Sequence, residues 1–157
     1  MTSSETTDAT PFWRKMLAWW WYIWGMSLCY RGNRTAERSF YEAGVDSFAR
    51  ASKLWPAFAA PLYRSGIIKG REMGHYSAAI IDLNRATRLA PEWAEPYLQR
   101  GLFHRFNHNP VEAISELSEY IRMAEPGFWR DEAERQIAMI RLEMAETMPR
   151  ASIEPLY

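Results

Sequence analysis

A chain of 157 residues and 18.4 kDa has room for one domain with a sizeable core. Its 19 basic and 19 acidic residues cancel and the pI lies near 6.8, so no field exists to attract nucleic acid, and that partner class is excluded. A single cysteine, Cys29, rules out an intrachain disulfide, and the eight tryptophans are the unusual feature, because they are unevenly spread.

Residues 1–11, MTSSETTDATP, are small and polar and end in proline, the composition of a disordered tail. The next stretch, FWRKMLAWWWYIWGMSLCYRG, holds Trp13, Trp19, Trp20, Trp21 and Trp24, with Phe12, Tyr22 and Tyr30 beside them. Met16 to Tyr30 runs 15 residues without a charge. As a helix that covers ~22 Å of a ~30 Å hydrocarbon core. Adding Phe12 and Trp13, with Arg14 and Lys15 snorkelling, brings it to a spanning length. Trp19 to Trp24 are apolar on every side, so the one-faced pattern of a surface helix is missing. Three readings stand: a short transmembrane anchor, an in-plane interfacial helix, and a helix buried in protein. The leading expectation is the anchor, with residues 12–31 as a single N-terminal membrane helix contacting lipid through residues 12–30. Arg31, Arg34 and Arg38 outnumber Arg14 and Lys15, which places the rest of the chain on the cytoplasmic side. Bulky Trp in place of an aliphatic run argues against a signal peptide.

Residues 35–54 read as a helix with Phe40, Tyr41, Gly44, Phe48 and Ala51 on one face. Beyond it the chain repeats itself. Pro56, Pro91 and Pro126 are spaced by 35, as are Gly66 and Gly101. Each period holds two helical patterns. The first runs from Ala59 to Arg71 and breaks at Glu72–His75, before Tyr76, Ala79, Ile80, Leu83, Ala86 and Leu89 recur at three- and four-residue steps. The second repeats this with Tyr97, Leu98, Leu102 and Phe103, a break at Asn107–Pro110, and then Val111, Ala113, Ile114, Leu117, Tyr120 and Ile121. Asn109 before Pro110 is a helix start by chemistry: a side-chain acceptor, then a proline whose missing N–H costs nothing in the first turn. Phe128 to Thr147 reads as a long final helix, with Trp129, Ala133, Ile137, Ile140 and Met144 along one stripe. Residues 148–157 form a short tail.

These units resemble tetratricopeptide (TPR) repeats, whose pattern is filled by Leu62, Gly66, Tyr76, Ala79, Leu83, Ala86 and Pro91, then by Tyr97, Gly101, Ala113, Leu117, Tyr120 and Pro126. The resemblance implies an all-α fold: a TPR-like domain over 35–147, with about two and a half repeats and a C-terminal capping helix behind the aromatic-rich transmembrane helix. Tyr41, Gly44, Phe48 and Ala51 match the second helix of a repeat. Its partner would come from about residues 21–34, inside the Trp-rich segment, where Gly32 falls near the expected glycine place.

No Gly-rich phosphate loop, HExxH, GxSxG or CxxC is present, so an enzyme, a cofactor and a small-molecule substrate are not expected. His104 and His108 stand at i, i+4, yet His108 falls in a turn and no third metal ligand is nearby. The resemblance implies a groove lined by the first helix of each unit: Tyr63, Ile67 and Arg71, then Leu98, Leu102, Arg105 and Phe106. Chaperone-binding members grip an acidic C-terminus with Lys and Asn; here Tyr63 and Leu98 replace the Lys, and Ile67 and Leu102 the Asn. Such a groove suits an apolar helix or extended segment; the other reading is that part of this face is covered by the chain's own first or final helix. The expected function is a membrane-tethered scaffold, an assembly factor or accessory subunit of a photosynthetic or respiratory type of membrane complex, binding that complex's subunits. The alternative is a soluble TPR interaction module whose Trp-rich helix packs on the repeats.

Overall fold

The computed structural model describes residues 8–147 and is all-helical there. Seven helices follow in order among these residues: α1 (Phe12–Thr35), α2 (Arg38–Leu54), α3 (Ala59–Arg71), α4 (Tyr76–Leu89), α5 (Glu95–Phe106), α6 (Pro110–Met123) and α7 (Phe128–Thr147). Each packs on the next, and α3 also touches α5. The result is three two-helix units, α1–α2, α3–α4 and α5–α6, closed by α7.

One contact repeats in every unit. A Cβ on Gly66 would lie 2.8 Å from Leu83, and one on Gly101 would lie 2.8 Å from Leu117. In the first unit a Cβ on Gly25 would lie 2.7 Å from Phe48. Phe48, Leu83 and Leu117 are each buried at 1% exposure or less. A bulky side chain of the second helix therefore sits against bare backbone of the first, which brings the two axes close. Gly25, and not Gly32, holds the repeat position. Gly32 instead receives Tyr41, and Gly44 receives Cys29 one turn away.

This register corrects the reading of residues 12–31 as a membrane-spanning anchor. Among the described residues no helix is long and apolar enough to cross a membrane. Two physical causes combine. Trp and Tyr carry polar N–H and O–H groups, so an uncharged stretch rich in them is poorer in hydrocarbon character than its length implies. In addition, α1 commits Ala18, Gly25, Cys29 and Gly32 to burial against protein. Trp21 and Tyr22 join Ala18, Ala51 and Phe58 in one cluster, while Tyr22 and Met26 flank Cys29, Tyr41 and Phe48 in another. The single membrane-spanning N-terminal helix loses its basis, and with it the cytoplasmic side assigned to the repeats. The count of two and a half repeats rises to three among the described residues.

The ends of the helices obey local chemistry. Ala36 (φ 56°) closes α1 in the left-handed region and donates its N–H to the Gly32 carbonyl. Gly74 (φ 69°) takes the left-handed conformation after α3, where glycine is free of strain, and the following His75 donates its N–H to the Lys69 carbonyl at 2.8 Å. Pro110 starts α6 as expected, but the Asn109 side chain makes no capping hydrogen bond. In α7, Ala133, Ile137 and Ile140 are buried against Leu98, Ala113, Leu117 and Tyr120, whereas Trp129 stays exposed and outside the stripe. The expected tails lie largely outside the described residues. Of the first, Asp8 is described and tied down: it pairs with Lys15 at 2.8 Å and accepts from Trp55 Nε1 at 2.6 Å. Lys15 accordingly holds its carboxyl well below the usual carboxylate range.

Candidate functional site: the face of the first helices

The first helices of the units, α1, α3 and α5, are bridged along one face. Arg64 on α3 donates from Nε to the Tyr22 hydroxyl at 3.5 Å, and Arg71 donates to Gln99 Oε1 on α5 at 2.9 Å. Between α1 and α3 lies a cleft of about 280 Å³. Met26, Cys29, Tyr30 and Asn33 line it from α1, and Arg64, Ile67, Ile68 and Arg71 from α3; Phe48 and Glu72 complete it. Asn33 is held in place because its Oδ1 accepts from the Tyr41 hydroxyl at 2.9 Å. Burial, reinforced by the Glu72 charge, pushes the Cys29 thiol up to about 11, so it remains protonated and acts as a small apolar group.

The chemistry of the cleft is thus mixed. Met26, Ile67 and Ile68 offer apolar surface. Two guanidinium groups, from Arg64 and Arg71, stand beside the single carboxylate of Glu72. Ile67 belongs to none of the core clusters, although its neighbour Ile68 packs with Cys29, Tyr41 and Phe48. Ile67 is therefore an apolar side chain on this face that the fold itself does not consume.

The residues expected from sequence separate into groups. Ile67 and Arg71 do line the cleft. Tyr63 packs on Trp93 with ring centroids 4.5 Å apart, and burial raises its phenol above the ordinary tyrosine range. Leu98 is 4% exposed and sits in the α5–α6–α7 core, with Leu102 packed on that core from a partly buried position. Arg105 is drawn to α7, donating to Gln136 and, at 2.6 Å, to Glu143 Oε1. Phe106 stacks on Tyr76 of α4, with centroids 5.4 Å apart. The face is consequently open around α1 and α3, whereas on α5 Leu98 and Arg105 are engaged within the fold and Phe106 remains 56% exposed.

The tryptophans expected to anchor the chain divide as well. Trp21 lies under the Arg50 guanidinium at 4.4 Å, and Trp19 contacts Tyr22 and Phe58 at centroid distances of 5.5 and 4.8 Å. Trp13, Trp20 and Trp24 are exposed, as is the outer part of Trp19, and Trp20 and Trp24 stack with planes 1° apart. Among the described residues no group of three or more His, Cys, Asp or Glu is placed to hold a metal ion. His108 takes a left-handed turn conformation (φ 59°), and His104 Nδ1 is buried without a partner.

Met26, Tyr30, Asn33 and Arg64 were not among the residues expected from sequence. A signal for the first existed: Gly25–Met26 stands where Gly66–Ile67 and Gly101–Leu102 stand in the later units.

No family model and no curated protein matches this chain. Solved structures do. The Arabidopsis OM64 TPR domain is similar with a TM-score of 0.70 at 17% identity, covering 80% of this chain and 98% of that one. The first TPR of Spaghetti (RPAP3), solved bound to an HSP90 peptide, SRMEEVD, is similar with a TM-score of 0.64 at 17% identity, covering 79% and 95%. The Sgt2 TPR domain from Aspergillus fumigatus gives 0.63 at 18% identity, covering 85% and 90%. Identities this low establish architecture alone. The chain has the fold of a tetratricopeptide repeat domain, with the Trp-rich helix as the first helix of its first unit.

Proposed function

We propose that this chain is a non-enzymatic protein-interaction module that takes a partner's peptide or helix in the cleft between α1 and α3. The observation that carries the reading is Ile67, an apolar side chain flanked by Met26 and two arginines and unused by any core cluster. Apolar anchors in a groove with charged edges are what peptide recognition requires. The solved neighbour with its HSP90 peptide supports the same use of the fold. The alternative of an interaction module with its Trp-rich helix packed on the repeats is thus preferred. Nothing observed supports the finer reading of an assembly factor or accessory subunit of a membrane complex.

The ligand differs from that neighbour's peptide. The residues three before the repeat glycine are Tyr22, Tyr63 and Leu98, and those one after it are Met26, Ile67 and Leu102. None offers the lysine or asparagine that would grip an acidic C-terminus. The favoured ligand places an apolar side chain on Ile67 and Met26 and an acidic group near Arg64. Selection from a phage-displayed random peptide library on the full chain tests this. Apolar sequences with a nearby Asp or Glu are expected, and Ile67→Glu should weaken the selected peptide about 30-fold or more. Selected peptides that bind Ile67→Glu undiminished would place the site elsewhere; recovery of none would remove the proposal.

A further inference from the structure

The array ends differently on its two sides. At the C-terminal end α7 covers the last unit and exposes Asp131, Glu134, Arg135 and Arg141, which interrupt its exposed Phe128, Trp129, Met139 and Leu142. At the other end α1 turns outward Phe12, Met16, Trp19, Trp20, Ile23 and Trp24, each between 46% and 76% exposed. Their spacing of three and four residues makes one stripe along the helix.

No charge interrupts this stripe before Arg31. Arg14 is drawn away, donating to the Lys53 carbonyl at 3.2 Å, and Lys15, which borders the stripe beside Phe12 and Trp19, is neutralised by Asp8 at 2.8 Å. The stacked rings of Trp20 and Trp24 form a platform already in place, which lowers the ordering cost of binding. Given 150–250 Å² for a buried aromatic side chain, the six exposed portions amount to roughly 800 Å², the share of one partner in a standard interface. A monomer rarely exposes a contiguous apolar patch of that size without a use for it.

We infer that this face packs against the same face of a second copy, giving a two-fold dimer in which α1 crosses its counterpart antiparallel about Trp20. A surface whose one bordering charge, Lys15, is already paired with Asp8 calls for an apolar partner surface, and the chain supplies one in itself. Residues 1–7 contain only Met1 as an apolar side chain and are unsuited to covering the patch. With the crossing at Trp20, Met16 meets the partner's Trp24 and Trp24 the partner's Met16, as an isologous contact demands. Arg31 then lies ~16 Å along the helix from the centre, past the partner's Phe12, so the two basic ends do not oppose each other.

Sedimentation equilibrium of the full chain, beside Trp20→Glu and Ile23→Lys, tests the inference. The wild-type chain should sediment at twice 18.4 kDa. Each substitution should raise the dimer dissociation constant about 30-fold or more, with helicity unchanged because both sites are exposed. As a second measurement, oxidised Trp20→Cys should give a covalent dimer. A wild-type chain at single mass through the micromolar range overturns the inference, whether the face is bare or covered by something else. So does a dimer that survives both charged substitutions. Failure of Trp20→Cys to cross-link a dimeric chain overturns the crossing at Trp20.

Discussion

A methyl group on Gly25 would lie 2.7 Å from Phe48 Cε1 and 3.1 Å from the Gly44 carbonyl oxygen. Neither neighbour has room to yield, since Phe48 is fully buried and the other atom is backbone. Alanine ordinarily gains ~1 kcal/mol over glycine inside a helix. Here the steric term wins, and Gly25→Val should lower stability by ~1–3 kcal/mol in denaturant unfolding. Gly127→Ala, with nothing within 4 Å of the added carbon, is the control and should be near neutral. A Gly25→Val chain as stable as the wild type would show that α1 does not pack in this register. His104 gives a second residue-scale test. Burial holds its imidazole below the usual range, with Arg100 adding to the effect and Glu116 opposing it. The native state therefore binds a proton less readily than the unfolded chain. Stability is full above the unfolded value of ~6.5 and falls as pH drops below it. Melting temperature should decline from pH 6.5 downward by that cause (~6.5 being the unperturbed value), and His104→Gln should flatten the decline. An unchanged pH profile in His104→Gln would remove His104 as its source.

At the scale of the element, the later helices were legible because each announces itself twice. Ala59 to Arg71 and Phe128 to Thr147 were read with the bounds that the structure gives. The period of 35 in Pro56, Pro91 and Pro126 joined the helices into units before any packing was known. Helix α1 was not legible in the same way. Gly25 lies 41 residues before Gly66, six more than the period, so counting back ends at position 31, beside Gly32. Its surface is also apolar on both the packed and the outward side, and this erases the one-faced pattern by which a core helix is told from a membrane helix. The placing of α1 bears on the groove as well. With α1 set apart as an anchor, Met26, Tyr30 and Asn33 were invisible as lining, and the expectation shifted to α5, where Leu98 and Arg105 serve the core and α7. Composition cannot show that Arg105 is already engaged by Gln136 and Glu143.

For the whole molecule, α1 determines both what the array is and what it can hold. With α1 in place there are three units, the number at which stacked repeats usually become stable. With it, too, the cleft has its second wall, and the outward tryptophans belong to an end of the array. The most direct measurement is hydrogen exchange of the full chain, resolved by helix. If α1 is the first helix of the array, amides around Gly25 and Cys29 should be protected to the same degree as those around Gly44 and Phe48, and should open with them as one unit. Rapid exchange throughout α1, with α3 to α6 still protected, would contradict this account. The Trp-rich helix would then stand apart from the repeats, and neither the cleft nor its first wall would exist as described.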